Sequence, residues 1–237
     1  MLIQCDASQL EWRTILELSQ DPIGIAEVIN KEDTHALNQV AFSLPSRLIA
    51  KIYLFRTIFR GSGWAFANDV EFQHVSSDPK FWDDLNDRFF SKYSGINSCH
   101  NVWKDFVLQG KSITGPFGRS WSIALSRDRY GEIKIPWTTL SNYPVQGTGA
   151  DVMMFARISA NTRIKKAGIP CKIISTHDSI VWDCEKKYIE EIAAICHQVF
   201  ADLPENFRRM FGYHWTVPLA CEVKFGPNMK DIEKLLT

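Results

Sequence analysis

The stretch Asp6-Ala7-Ser8-Gln9-Leu10-Glu11-Trp12-Arg13 decides how this chain is read, because Thr176-His177-Asp178-Ser179 answers it from the other end of the sequence. Asp6 follows the short apolar run Met1 to Cys5. Asp178 sits between two more, Cys171 to Ser175 and Ile180 to Cys184. An acidic residue delivered by an apolar strand can hold a divalent cation. Two of them can hold a pair of Mg²⁺ ions placed for in-line phosphoryl transfer. Mg²⁺ takes few protein carboxylates and completes its octahedron with phosphate oxygens and water. Asp6, Asp178 and a backbone carbonyl such as that of Ala7 are a sufficient set.

Between the two acids, Arg47, Lys51, Phe55 and Phe59 recur every four residues and form a slowly drifting stripe on one helix face. Its cations suit β- and γ-phosphates, and its rings can stack on a base or sugar. Arg56 and Arg60 add to the basic character of the same segment. Paired acids and a basic helix together imply nucleotidyl transfer. Gln146-Gly-Thr-Gly-Ala-Asp151 resembles a phosphate loop only superficially, since it lacks the lysine that such a loop needs. A Gln carried on a helix toward a nucleic-acid groove is the better reading.

Bulk properties set the limits. With 237 residues the chain can bury a substantial core as one large domain or two modest ones. A hydrophobic content of 45% with 23% charged residues is ordinary for a globular protein. The formal net charge is zero, with 27 Lys and Arg against 27 Asp and Glu, which argues against a chain that coats nucleic acid over its whole surface. Local basic grooves remain compatible with it. The six cysteines contain no CxxC pair, so reduced, mostly buried thiols are expected rather than zinc ligands or a disulfide framework. No apolar run approaches the roughly 20 residues of a membrane span, and the N-terminus lacks a signal-peptide layout, so a cytoplasmic chain is expected.

Periodicity predicts a buried strand over Met1 to Cys5 and helix from about Ser8 to Ile29, interrupted at Asp21-Pro22. A further helix starts after Ser46 and runs to about Arg60, where Gly61-Ser62-Gly63 stops it. Trp64 to Gln109 reads as several packed helices, and Gly110 to Pro136 as hairpin or loop. A helix is expected from Gln146 to Lys166, closed by Gly168. Two strands then flank Asp178 at a hairpin tip. A helix over Glu185 to Ala201 and a strand near Val217 to Val223 complete the chain. The layout is α+β: a small sheet carrying both acids, interrupted by a long, mainly helical insertion.

In order, these segments resemble the motifs of family A DNA polymerases, especially phage replicative members, and the likeness runs the length of the chain. Asp6 to Arg13 looks like motif A. Arg47 to Phe59, with Asp33-Thr34-His35 upstream, looks like motif B and its approach. Ser141 to Asp151 looks like the family's Gln segment, and Thr176-His-Asp-Ser179 like motif C. The resemblance implies a right-hand polymerase palm with an antiparallel sheet (residues 1–14 and 141–237) and a mainly helical fingers insertion (15–140).

The implied activity is template-directed addition of deoxynucleotides to a primer 3′-end, with two Mg²⁺ ions held by Asp6, Ala7 and Asp178. Arg47 and Lys51 would hold the triphosphate, with His35 nearby. Gln9, Glu11, Phe55 and Phe59 would line the nucleotide pocket. Within it, Glu11 would be the gate that crowds a ribose 2′-hydroxyl, Phe55 would lie beside the sugar, and Phe59 would stack near the template base. Asn142 and Gln146 would touch the primer–template minor groove, and His177 the primer end. The partners implied are primer–template DNA and deoxynucleoside triphosphates.

The chain departs from the family pattern in motif C, where Ser179 replaces a glutamate. It departs again in motif B, where Phe59-Arg60 replaces Tyr-Gly and implies a stiffer helix end. It also begins just before motif A, so thumb and exonuclease portions are expected to be absent. Two alternatives follow: a split enzyme whose second polypeptide supplies them, or an excised fragment. The alternative is a non-catalytic nucleic-acid-binding or assembly subunit of the same ancestry. A single-subunit RNA polymerase fits less well, because Glu11 would obstruct the 2′-hydroxyl.

Overall fold

The computed structural model describes residues 1–176 and 178–234. Its order is β1 (Leu2–Ala7), α1 (Leu10–Ser19), α2 (Pro22–Ile29), α3 (Thr34–Ala41), α4 (Arg47–Ile58), α5 (Gly63–Ala67), α6 (Pro79–Lys92) and α7 (Ser94–Leu108). Four two-residue strands follow: β2 (Ile113–Thr114), β3 (Ser120–Trp121), β4 (Ser126–Arg127) and β5 (Ile133–Lys134). The chain closes with α8 (Trp137–Lys166), β6 (Cys171–Thr176), β7 (Ser179–Cys184), α9 (Ile189–Phe211), β8 (Cys221–Gly226) and β9 (Glu233–Lys234). It divides into two compact units, Met1–Glu11 with Gly147–Thr237, and Trp12–Gln146.

The first unit is built on a five-stranded sheet ordered β6-β7-β1-β8-β9, every neighbouring pair antiparallel. β1 shows why it is central. Ile3, Cys5 and Ala7 are buried, while Leu2, Gln4 and Asp6 are half-buried on the opposite face. The buried face meets α9, whose Ile192, Cys196, Val199, Phe200, Leu203 and Phe207 form one apolar stripe at helical spacing. Gly212, in the left-handed region at φ 67°, ends that helix. All six cysteines are free thiols; Cys5, Cys196 and Cys221 lie in this interior. Hydrogen bonding with the Cys196 thiol, and then burial, push the Cys5 thiol well above its ordinary value, against a lowering contribution from Cys221.

The second unit is helical, and its core is aromatic. Phe66 stacks on Trp82 at 5.3 Å between centroids, Tyr53 and Phe72 pack around the pair, and Phe89 packs on Tyr53. One buried carboxylate ties two helix starts together. Asp21 Oδ1 accepts from the backbone N–H groups of Ile23 and Gly24 at the start of α2, and Oδ2 accepts from Gly95 N–H at the start of α7. A Cβ on Gly95 would lie 2.7 Å from Asp21 Cα, so a glycine there permits the approach.

Most elements lie where periodicity puts them. Two helices are longer than the sequence suggests. α8 begins at Trp137 behind Pro136 and runs through Pro144, and α9 runs through Pro204 to Phe211. Each internal proline lacks an N–H and reads as a breaker, yet tertiary burial of Leu140, Val145, Leu203 and Phe207 on either side outweighs one lost hydrogen bond. The short helix α3 has too few residues for a periodic signal; Asp33 caps it by accepting from His35 and Ala36 N–H. Asp21→Ala is expected to cost about 2–3 kcal/mol in urea unfolding, because the cap is lost and buried donors are left unpaired.

Candidate active site

β1 lies between β7 and β8, and the register places Asp6 opposite Ser179 on one side and Glu222 on the other. Asp178 occupies the turn just before Ser179, and its carbonyl accepts from Ala7 N–H at 3.2 Å. The two aspartates from opposite ends of the sequence therefore stand at the same end of adjacent strands. Asp6 projects on the polar side of the sheet. Its Oδ1 accepts from Gln4 Nε2 at 2.7 Å and its Oδ2 from Lys224 Nζ at 3.0 Å. Asp178 is exposed, whereas Ser179 is buried. His177 lies outside the described residues.

Hard carboxylate oxygens from Asp6 and Asp178, with the main chain of Ala7 beside them, suit a hard divalent cation. The ammonium of Lys224 already stands where a cation is favoured. Among the described residues no three His, Cys, Asp or Glu side chains form a closed metal cage.

In the second unit, α4 carries the basic stripe. Ser46 caps it, accepting from Ile49 N–H at 3.2 Å, and Arg47 is its first residue. Arg47 Nε donates to Asp33 Oδ2 at 2.6 Å, so Asp33 serves as the cap of α3 with one oxygen and as ion-pair partner with the other. Hydrogen bonding to Arg47 holds the Asp33 carboxyl below the usual carboxylate range. Lys51 is exposed one turn further on. The His35 ring is buried 6.0 Å from that of Phe55. Burial first, and then the Arg47 charge, lowers the His35 pKa.

Phe59 caps the far end of α4, on the order of 18 Å from Arg47 along the axis. The four cations of the segment divide. Arg56 turns to Asp69 at 2.6 Å and Glu71 at 3.2 Å. Arg60 lies with its Nε 3.0 Å from His100 Nδ1 and its Nη2 2.7 Å from Asn97 Oδ1, over the rings of Phe90 and Trp137. Arg47 and Lys51 are left at the helix start.

Gln9 has a left-handed φ of 51°, and Glu11 follows in the first turn of α1, half-buried. Asn142 and Gln146 lie four residues apart on α8, the first half-buried and the second exposed.

The profile described as DNA polymerase family A matches residues 1–231. The chain belongs to DNA polymerase family A. It is 24% identical over 231 residues to a DNA polymerase I of Aquifex aeolicus, covering 89% of this chain and 38% of that protein. It is 24% identical over 244 residues to a DNA polymerase of Bacillus phage SP01, covering 98% of this chain and 26% of that one. The POL domain of Pol1 from M. smegmatis, solved in complex with DNA primer-template and dNTP, shares the fold with a TM-score of 0.77 at 22% identity, covering 95% of this chain and 39% of that one. This chain thus spans well under half the length of these relatives.

Sequence reasoning missed two contacts in this family A chain. Lys224 on Asp6 required the β1–β8 register, which no local pattern reveals; the alternation Glu222-Val223-Lys224 signals only that the two charges share a face. Arg60 is the other. Its φ of 59° is left-handed, the conformation a glycine adopts freely; the backbone closes the turn, Arg60 N–H donating to the Thr57 carbonyl and Gly61 N–H to the Arg56 carbonyl, and the side chain anchors it further. The helix end therefore keeps the turn that a glycine would make.

Strain of about 1–2 kcal/mol at φ 59° opposes the anchoring of Arg60. Arg60→Ala keeps the strain and loses the anchors, so it should destabilise more than Arg60→Gly, by about 1 kcal/mol in chemical denaturation. Burial, with repulsion from Arg60, lowers the His100 pKa to about 3. The unfolded chain binds that proton first, so stability is lost as pH falls below the ordinary histidine value of about 6.5. About 2 kcal/mol is expected to go between pH 7 and 5, and His100→Gln should flatten that slope in thermal melts.

Proposed function

We propose that this chain carries template-directed DNA synthesis, adding deoxynucleotides to a primer 3′-end. The observation that carries the reading is the β1–β7 register, which sets Asp6 beside the Asp178 turn within a chain of DNA polymerase family A. Residues 1–14 and 141–237 are assigned as palm and 15–140 as fingers. Asp6, Asp178 and the Ala7 carbonyl are assigned as holders of divalent cations, two Mg²⁺ in the reading favoured here. Bound there, such ions would lower the pKa of the primer 3′-hydroxyl and offset charge on the leaving pyrophosphate.

The protein's own part is positioning. The hydrogen bond from Ala7 N–H to the Asp178 carbonyl ties the Asp178 turn to the end of β1. Arg47 and Lys51 are assigned to the triphosphate, and the neutral His35 stays available as a hydrogen-bonding neighbour. Gln9, Phe55 and Phe59 are assigned to the nucleotide pocket, and Glu11 to rejection of the 2′-hydroxyl. Asn142, Gln146 and His177 are assigned to the primer–template. Most of the affinity for that duplex is expected from phosphate contacts, and so to fall steeply with salt.

The test is primer extension with Mg²⁺ and four deoxynucleotides, by the chain alone and with extract from its source. Asp6→Ala or Asp178→Ala should each lower incorporation by on the order of a thousandfold while leaving the thermal transition cooperative. Extension seen only with extract, and lost in Asp178→Ala, would indicate a second polypeptide. DNA binding without extension in any arrangement would favour the non-catalytic subunit. Glu11→Ala should raise ribonucleotide incorporation at least tenfold, by about 1.4 kcal/mol of lost discrimination; unchanged sugar selectivity would remove Glu11 from the gate.

A further inference from the structure

Asp6 is already occupied on both oxygens by neighbours from its own sheet face. Gln4 precedes it by two residues on β1, and Lys224 stands opposite Gln4 on β8, so its ammonium reaches Asp6 on the diagonal. Glu222 stands directly opposite Asp6 on the same face, and like charges so placed repel. Lys224 pairs with the Asp6 member of this carboxylate strip. It is a half-buried pair, with side chains 36% and 23% exposed, and its attraction is screened less than that of a pair in open solvent.

We propose that Lys224 is a built-in counter-cation: it holds Asp6 when no metal is bound and competes with the divalent ion for the same carboxylate oxygen. The inference rests on the assignment of Asp6 as a metal ligand and goes beyond it. Lys224 is a positioning residue in this role, acting through Asp6. A metal must displace the ammonium before Oδ2 is free, so the lysine raises the concentration at which the site loads. In return it neutralises Asp6 beside Glu222 and holds the carboxylate in place before the metal arrives.

The test is binding of Mn²⁺ alone to the full chain, followed by electron paramagnetic resonance of the free ion, with no nucleotide or DNA. Lys224→Met is expected to tighten Mn²⁺ binding roughly five- to tenfold. It should also lower the metal-free melting temperature and enlarge the rise that Mn²⁺ produces. Lys224→Arg, which keeps the charge, should return the affinity to near that of the unaltered chain. Lys224→Gln gives a second uncharged side chain should the methionine variant fail to melt cooperatively.

Unchanged or weaker binding in the uncharged variants, with the site still abolished by Asp6→Asn, would overturn the role of Lys224 and leave the metal assignment standing. Mn²⁺ binding indifferent to Asp6→Asn would overturn the metal assignment at Asp6, and this inference with it. The two failures differ in a measurement that involves no catalysis.

Discussion

The antiparallel ladder that holds β1 between β7 and β8 is the constraint on which the candidate site depends. Side chains alternate across a strand, so a slip of one residue would turn Asp6 into the apolar interior and bring Cys5 out to solvent. The apolar set Ile3, Cys5 and Ala7 packs toward α9 with Ile180, Trp182 and Val223, which makes that slip very costly. The chemistry on one face is therefore fixed by burial on the other. Neither aspartate needs a dedicated scaffold, because the core that folds the sheet also sets their separation.

α4 shows a different division of labour. Its first turn presents Arg47 and Lys51, while Arg56 and Arg60 near its end are committed to partners within the helical unit. A run of four cations in sequence thus resolves into an outward-facing pair and an inward-facing pair. The inward-facing pair has an anchoring role: Arg60 over Phe90 and Trp137, and Arg56 over Phe72, hold the helix by cation–π contact as well as by ion pairing and hydrogen bonds.

Much of this was legible in the sequence. The α+β class, the strand that delivers Asp6, the hairpin that carries Asp178 and the helix begun by Ser46 all follow from local pattern and capping chemistry. What stayed hidden depends on contacts between segments distant in sequence. Pro144 and Pro204 read as breakers because the apolar surroundings that retain their helices come from elsewhere in the chain. Lys224 falls just past the strand expected near Val217 to Val223, and only the β1–β8 register brings it to Asp6. The left-handed turn at Arg60 is invisible to any rule that expects glycine, since its anchors, Phe90, Asn97, His100 and Trp137, lie on other elements.

Asp33 divides its carboxylate between the α3 cap and Arg47. Any anion recruited by Arg47 must therefore outcompete a carboxylate already in place. Both side chains are about half exposed, so the threshold is low, about 1 kcal/mol or less, and it sinks further as salt rises. A polyphosphate clears it easily, with several charges and a bidentate match to guanidinium. A lone monovalent anion offers nothing that Asp33 does not. With an anion as its ligand, the helix start would act as a filter on charge density, set by a residue that need never touch that ligand.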